Sequence, residues 1–215
     1  MHLKRQSTSI KWPIPRKGTA YVVRPLSNLR TGIPLLIVLR DMLKLAQDRR
    51  EVKKILHQGY VMLNGKKARE ERTAILLFDK IAILPLKKYY TLAISDKGKF
   101  AIQEVKEKDA EVKISKVVNK KILKGKRIQL NLIDGRNILS DEKCRVNDSV
   151  LINLKENKIE KILPLKEGAR GIIFGGKHSG KVGVIESINP NDIIGVITEN
   201  KEKINVLIKQ LMVIE

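Results

Sequence analysis

The chain has 215 residues, with 44 lysines and arginines against 23 aspartates and glutamates, a formal net charge of +21. This excess favours a polyanionic partner, nucleic acid before an anionic membrane surface, and a hydrophobic fraction of 42% argues against disorder throughout the chain. One cysteine, three histidines far apart in sequence and no long apolar run exclude an internal disulfide, a zinc cluster, an ordinary signal peptide and a membrane-spanning helix.

The N-terminal segment, residues 1–34, contains no acidic residue, and prolines at positions 13, 15, 25 and 34 favour an extended backbone. A segment of one charge sign that prolines interrupt does not easily form a core of its own. We interpret it as a basic arm that becomes ordered against RNA phosphates; the alternative is a solvated, partly disordered tail. The candidate RNA-binding residues of the arm are Lys4, Arg5, Lys11, Arg16, Lys17 and Arg24.

Two short helices are predicted after the arm. The first follows from Pro34 at the first helical position and from the apolar series Leu35, Leu39, Met42 and Ala46. The second begins at Asp48, a predicted N-cap that forms a capping box with Glu51. Gly59 is predicted to end this helix, whose apolar face consists of Val52, Ile55 and Leu56.

A β-hairpin completes this predicted module, residues 35–84. Its signal is Asn64-Gly65 between extended segments, since both residues tolerate a positive φ. The second helix places four basic residues on one face, which Lys66 and Lys67 at the hairpin tip extend. We interpret this as a phosphate-binding face; the alternative is an ordinary solvated helix face. The candidate RNA-binding residues of the module are Arg40, Lys44, Arg49, Arg50, Lys53, Lys54, Lys66, Lys67 and Arg69.

From about residue 86 onward, short strands alternate with turns, a pattern that is typical of small sheets or barrels. Residues 128–132 alternate between apolar and polar side chains with a period of two, and residues 150–154 follow this pattern approximately. A boundary near residues 164–168 separates a last group of short strands. The predicted fold class is therefore α+β and mostly β, with a central β domain at residues 85–165 and a further β domain at residues 166–215.

The segment Gly175–Val182 (GGKHSGKV) matches the phosphate-binding loop G-x-x-x-x-G-K-[ST] except at its last position. Val182 has no hydroxyl for Mg²⁺, and a strand is predicted where such a loop requires a helix. Nucleotide hydrolysis is therefore not expected. Taken as strand, loop and strand, the segment resembles the KOW motif of ribosomal proteins and transcription elongation factors; the alternative is a plain hairpin. Its candidate RNA-binding residues are Lys177, His178, Ser179 and Lys181.

No spacing of carboxylates, histidines or nucleophiles points to a catalytic or metal site, and Cys144 is expected to be a small apolar residue. We therefore predict that the chain is not an enzyme and has no metal, no cofactor and no small-molecule substrate. Aromatic residues make up only 4% of the chain. Recognition of folded RNA by shape and phosphate position is therefore expected before stacking on single-stranded bases.

The combination of motifs identifies a family. Residues 35–65 resemble the S-four RNA-binding module, which also occurs in pseudouridine synthases, tyrosyl-tRNA synthetases and ribosome-recycling heat-shock proteins. Further motifs distinguish among these: HLKR and WPIPRK precede the module, KRIQLNL and DGRNI follow it, and GGKHSGKVG comes last. In this order they resemble the archaeal and eukaryotic small-subunit ribosomal proteins of the S-four-e family over essentially the whole chain.

The resemblance implies an S-four module behind a basic arm, a central β domain and a C-terminal KOW-type small β-barrel. It implies a structural and assembly role in the cytoplasmic small ribosomal subunit. The implied partners are small-subunit ribosomal RNA and neighbouring small-subunit ribosomal proteins, with no membrane. The DGRN motif adds Arg136 to the candidate RNA-binding residues. Ile133 departs from the polar residue that the family usually has before this motif, so no RNA contact is expected there.

Two other functions remain as alternatives. An RNA-modifying enzyme anchored by the S-four module would need a catalytic domain, of which the sequence shows no sign. A recycling or elongation factor would visit RNA transiently and be present below one copy per ribosome. Membrane-surface binding would need a long basic amphipathic helix, which is not predicted.

In the favoured mechanism, phosphate contacts release counterions, and linked binding sites raise the effective concentration of each other. Deletion of residues 1–30 is expected to weaken RNA binding without unfolding the rest of the chain.

Overall fold

The structure is a computed structural model that describes residues 2–140, 142–189, 193–198 and 202–214. It divides into two compact units, one of Met1–Ile94 with Lys99–Glu111 and one of Ser95–Gly98 with Val112–Glu215. Antiparallel strands dominate both units and the helices are short, which confirms the predicted α+β, mostly β class. Within the described ranges, no helix is long and apolar enough to cross a membrane.

The first unit begins with short strands and helices and ends in a larger sheet. Single 3₁₀ turns occur at Arg5–Ser7 and Leu84–Leu86. Its other elements are β1 (Leu3–Lys4), β2 (Tyr21–Val22), β3 (Ile33–Pro34), α1 (Leu35–Ile37), α2 (Arg49–His57), β4 (Val61–Leu63), β5 (Lys66–Lys67), β6 (Ala74–Ile75), β7 (Lys80–Ile83), β8 (Lys88–Ile94), β9 (Phe100–Val105) and α3 (Glu107–Ala110).

The N-terminal segment folds back onto its own unit. β1 pairs with β2, and β3 pairs with β6, both antiparallel. The Trp12 side chain is 2% exposed, and its indole N–H donates to the Gly32 carbonyl oxygen at 3.0 Å. Leu3 is also buried, and the Phe100 amide donates to the Lys11 carbonyl oxygen at 2.8 Å. The segment therefore shares the core of the unit, whereas its charge and prolines predicted an arm that orders only against RNA.

The first helix is shorter than the apolar spacing predicted. α1 ends at Ile37 and continues as one π-helical turn over Val38–Met42. Lys44 then has a φ of +54°, which ends the helical path before Ala46. Pro34 lies just before the helix with a ψ of 140°, so it is not in the first helical position. The wider π turn depends on packing around it, which residue spacing does not reveal.

The second helix and the hairpin agree with their predictions. α2 begins directly after Asp48 and ends close to Gly59, whose φ is +72°. The predicted capping box is wrong, because Asp48 makes no side-chain cap bond and Glu51 accepts a hydrogen bond from the Gln47 amide, at 2.7 Å. β4 and β5 are joined by Asn64-Gly65, both with positive φ, which confirms the hairpin.

The hairpin belongs to a five-stranded antiparallel sheet with the order β5-β4-β7-β8-β9. β7 pairs with β8, and β8 pairs with β9. The predicted boundary between residues 84 and 85 therefore falls inside this sheet, and the first compact unit extends to Glu111. Local alternation shows which face of a strand is apolar but not which strand it pairs with, so the sequence pattern assigned β8 and β9 to the next domain.

The second unit holds two five-stranded antiparallel sheets, with the orders β12-β11-β10-β13-β14 and β18-β17-β16-β15-β19. A single 3₁₀ turn occurs at Ile208–Gln210, and Lys124–Lys126 form a turn in which Gly125 has a φ of +78°. The strands are β10 (Val112–Ile122), β11 (Ile128–Leu132), β12 (Asn137–Ser140), β13 (Ser149–Asn153), β14 (Lys158–Leu163), β15 (Arg170–Ile173), β16 (Val182–Ile188), β17 (Ile193–Thr198), β18 (Lys203–Leu207) and β19 (Leu211–Val213).

Each sheet of the second unit has its own apolar cluster. Val117, Leu130 and Ile152 are fully buried in the first, and Ile173 and Ile194 are fully buried in the second. The predicted strands at residues 128–132 and 150–154 correspond to β11 and β13. β16 starts at the position where a nucleotide-binding loop needs a helix, so the strand, loop and strand interpretation is confirmed.

A buried lysine joins these two sheets. Lys116, on β10, is 3% exposed, and its Nζ donates to the carbonyl oxygens of Ile208 and Leu211, the latter at 2.8 Å. The Val213 amide donates to the Ser149 hydroxyl at 3.0 Å and adds a second link. Burial lowers the pKa of the Lys116 amine to about 8, because removal from water disfavours the charged form.

Replacement of the buried indole tests whether the N-terminal segment is part of the core. Trp12→Ala is expected to lower the free energy of unfolding by about 3–5 kcal/mol, since it leaves a cavity and an unpaired carbonyl. Ile10→Ala, in the same segment at 84% exposure, is the matched control and should leave stability unchanged. Equal urea midpoints for the two variants would contradict this packing. Because the N-terminal segment contributes Leu3 and Trp12 to the core, deletion of residues 1–30 is expected to destabilise the first unit.

Lys116→Met is expected to change how stability depends on pH. Below pH 8 the amine is protonated in both states, and burial of its charge opposes folding. Between about pH 8 and 10.5 the folded chain releases this proton while the unfolded chain keeps it. The wild-type chain should therefore gain up to about 3 kcal/mol relative to Lys116→Met across this window. Urea unfolding of both chains at pH 7 and pH 10.5 measures it, and a constant difference would refute the assignment.

Candidate nucleic-acid interface

The predicted RNA-binding residues differ in their exposure. The exposed ones are Lys4, Arg16, Lys17, Lys44, Arg49, Arg50, Lys53, Lys54, Lys66, Lys67, Arg69 and Lys177. The half-buried ones are Arg5, Lys11, Arg24, Arg40, Arg136, His178 and Lys181. Ser179 is buried. The fold therefore leaves some of these side chains open to solvent and already uses others within the protein.

Arg5 holds the N-terminal segment in its bent path. Its Nε and Nη1 donate to the carbonyl oxygens of Thr19 and Pro15, each at 2.7 Å, and its Nη2 donates to the Thr19 hydroxyl at 2.9 Å. A Cβ on Gly18, whose φ is +143°, would lie 2.9 Å from Arg5 Nη2. Glycine at this position therefore allows the guanidinium to lie against the backbone, and Arg5 has a structural role in the segment.

One buried carboxylate divides the basic face of α2. Glu71 is 5% exposed, and its Oε1 accepts hydrogen bonds from Arg49 Nε at 2.7 Å and from Arg49 Nη2. Lys53 Nζ lies 4.0 Å from Glu71 Oε2. Arg50 and Lys54 are exposed and form no ion pair within the part of the chain that the structure describes. Their charges are therefore uncompensated, whereas Arg49 is paired with Glu71 and keeps only its remaining N–H groups for a further acceptor.

A cleft of about 790 Å³ in the first unit collects several of the predicted cations. Its lining includes the predicted residues Arg5, Lys17, Arg24, Arg40 and Arg49. The lining also includes His2, Tyr21 and Arg72, which were not predicted as RNA-binding residues. Arg72 donates from Nε to the Arg24 carbonyl oxygen at 3.2 Å. An aromatic residue within an acid-free segment is the signal that could have identified Tyr21, while Arg72 lies in a stretch that no motif covers.

The DGRN turn of the second unit is built around a buried ion pair. The Asp134 carboxylate lies 2.6 Å from Lys113 Nζ, and these side chains are 4% and 1% exposed. Asp134 also accepts a hydrogen bond from the Arg136 amide at 3.1 Å and lies 3.7 Å from Arg136 Nε. The turn therefore fixes the half-buried Arg136, while the neighbouring Ile133 is 45% exposed.

The loop between β15 and β16 is closely packed within the second unit. A Cβ on Gly180, whose φ is +99°, would lie 2.0 Å from the Ser95 carbonyl oxygen, so only glycine fits there. Lys181 Nζ lies 2.6 Å from a Glu202 carboxylate oxygen, and this hydrogen bond lowers the pKa of Glu202. Lys177 is exposed at the loop surface. Gly180 therefore allows a close approach of two backbone segments within the second unit.

In the described ranges no three His, Cys, Asp or Glu side chains are grouped so that they could hold a metal ion. Cys144 is 1% exposed, and burial raises the pKa of its thiol to about 11. The thiol is therefore protonated at neutral pH and is a poor nucleophile. This environment agrees with the expectation that Cys144 is a small apolar residue.

Comparison with known sequences gives consistent relatives. The family model described as ribosomal family S4e matches residues 86–159. Small ribosomal subunit protein eS4 of Methanocella arvoryzae is 38% identical to this chain over 90% of the chain and 86% of that protein. Small ribosomal subunit protein eS4 of Methanothermobacter thermautotrophicus is 35% identical over 87% of the chain and 79% of that protein.

Comparison with solved structures agrees with these relatives. The crystal structure of the 30S ribosomal protein S4e from Thermoplasma acidophilum matches with a TM-score of 0.74 and 29% sequence identity. The match covers 86% of this chain and 95% of that chain. Sequence and fold therefore show the same relationship over most of the chain, including both compact units.

The partner of Arg49 can be tested by stability. Arg49→Gln is expected to lower the free energy of unfolding by about 1–3 kcal/mol, because it leaves the buried Glu71 carboxylate without its main donor. Arg50→Gln removes the same charge from the adjacent position of the helix and should have no effect on stability. Urea denaturation of the two variants measures the difference. If both variants unfold at the wild-type midpoint, Glu71 does not depend on Arg49.

Proposed function

We propose that this chain, which belongs to the S4e family of ribosomal proteins, is a structural component of the cytoplasmic small ribosomal subunit. In this role it binds small-subunit ribosomal RNA and lies beside other small-subunit proteins. S4e proteins are ribosomal constituents and not enzymes.

The proposal that the chain binds RNA rests mainly on the distribution of positive charge along α2. Arg50 and Lys54 are exposed and uncompensated within the described structure, while Arg49 is held by Glu71. Lysine and arginine at such positions neutralise phosphates and release condensed counterions, which supplies most of the affinity for a nucleic acid. Phosphate contacts set position and orientation, and the shape of the folded RNA supplies the specificity.

Several separate basic sites would act together in this role. Exposed candidate cations occur on α2, on the β4–β5 hairpin and in the β15–β16 loop, at Lys54, Lys67 and Lys177 among others. If each contacts a different RNA segment, the first contact raises the effective concentration for the next. The full chain would then bind more tightly than any one site and would hold together RNA segments that are distant in sequence.

The salt dependence of binding tests this proposal. The double variant Arg50→Gln, Lys54→Gln should bind a small-subunit ribosomal RNA transcript more weakly, with a log–log salt slope smaller by about 1.5–2. Filter binding of the full chain at several salt concentrations measures both quantities. Lys158→Gln, Lys161→Gln removes two exposed lysines from β14 that are not predicted contacts, and it should leave the slope unchanged. Equal slopes for both double variants would reject α2 as a phosphate-binding face.

A further inference from the structure

The cleft of about 790 Å³ in the first unit is lined by two chemically different kinds of side chain. Guanidinium groups are one kind, among them Arg40, Arg49 and Arg72. Apolar side chains are the other, with Val22 and Ile37 among them. A site for phosphate alone needs no apolar lining, since phosphate is held by charge and hydrogen bonds. The combination suits a ligand that has both an anionic group and an apolar, planar part.

The guanidinium groups of the cleft are held in place before any ligand binds. Arg40 donates from Nε and Nη2 to the Asp41 carboxylate at 3.0 and 2.9 Å. Arg49 is held by Glu71, and Arg72 is held by the Arg24 carbonyl oxygen. Prior fixation lowers the entropy that binding would otherwise cost.

These fixed groups keep donors for a ligand. An arginine has five N–H donors, and the bonds to Asp41 and Glu71 use only Nε and Nη2 of Arg40 and Arg49. The remaining N–H groups of these guanidinium groups are therefore available. A planar guanidinium with unused N–H groups is well suited to bind a phosphate through paired hydrogen bonds.

Tyr21 provides the aromatic surface at this cleft. Its side chain is 52% exposed although tyrosine is an amphipathic residue that can be buried, and it lines the cleft. The His2 ring packs edge-on against it, with ring centroids 4.2 Å apart and an interplanar angle of 65°. An edge-on neighbour orients the Tyr21 ring. Unpaired RNA bases stack on exposed aromatic rings of this kind.

We propose that this cleft receives a single unstacked nucleotide of the small-subunit ribosomal RNA. The base stacks on Tyr21, and its phosphate is bound by the guanidinium groups of Arg40 and Arg49. This inference rests on the proposed RNA-binding function. It adds a binding site for one base, whereas the other proposed contacts bind only phosphates. It also qualifies the expectation, drawn from the low aromatic content, that base stacking has no major part in binding.

Ultraviolet crosslinking is the first test. The full chain is bound to a small-subunit ribosomal RNA transcript, irradiated and digested with nuclease and trypsin. Mass spectrometry should find a nucleotide adduct on the tryptic peptide of residues 18–30, GTAYVVRPLSNLR, which stays intact at Arg24 because Pro25 follows it, with Tyr21 as the modified position. A bound complex that gives adducts on other peptides but none on this one would overturn the proposal.

Affinity of variants is the second test. Tyr21→Leu should weaken binding to the same transcript by about tenfold, because it removes the stacking surface. Tyr60→Leu, at a tyrosine that is 41% exposed and outside the cleft, is the matched control and should bind as the wild-type chain does. Urea unfolding of Tyr21→Leu should match the wild-type midpoint, which separates lost stacking from lost structure.

The outcomes separate the cleft from the wider function. Wild-type affinity for Tyr21→Leu together with a missing adduct would overturn the nucleotide site and leave the RNA-binding function intact. Failure of the wild-type chain to bind the transcript would overturn both. A tenfold loss that is confined to Tyr21→Leu, with an adduct at Tyr21, would establish the site.

Discussion

Repulsion among its many positive charges is the main force that this fold has to overcome. A net charge of +21 in 215 residues opposes a compact state, and only 23 acidic residues are available to offset it. Several of these acids are buried, where each one fixes a particular group. Glu71 holds Arg49, Asp134 holds Lys113, and Asp148 accepts the Leu165 amide at 2.9 Å. Because these carboxylates are used inside, many cations at the surface remain uncompensated.

This division of charge links the fold to its role in the ribosome. Cations such as Arg5, Arg49 and Arg136 lie against protein partners, so they present a fixed geometry. Arg50 and Lys54 form no ion pair among the described residues, which in the proposed role leaves them free to follow an RNA backbone. Fixed cations favour recognition of a particular RNA shape, and free cations favour affinity that depends on salt. A ribosomal constituent needs both properties, since it must select one folded RNA among many and remain bound to it.

Local features could be predicted from the sequence, and features that depend on distant partners could not. α2, the Asn64-Gly65 hairpin and the alternating strand β11 follow from residues within a few positions of one another. The burial of Trp12 against the first unit, the pairing of β4 with β7 and the position of Lys116 between two sheets depend on residues farther away in the chain. For the interface, charge indicated the basic residues, but only the fold showed that Glu71 engages Arg49 and that Tyr21 and Arg72 share a cleft.

The central claim is that this chain is a resident constituent of the small ribosomal subunit. Quantitative co-sedimentation with ribosomal particles from the source cell tests it most directly, through a gradient that contains enough salt to remove loosely held factors. About one copy of the chain per small subunit is expected, since many phosphate contacts and linked sites would act together. Recovery of the chain in the top fractions, or well below one copy per small subunit, would contradict residence and indicate a transient factor.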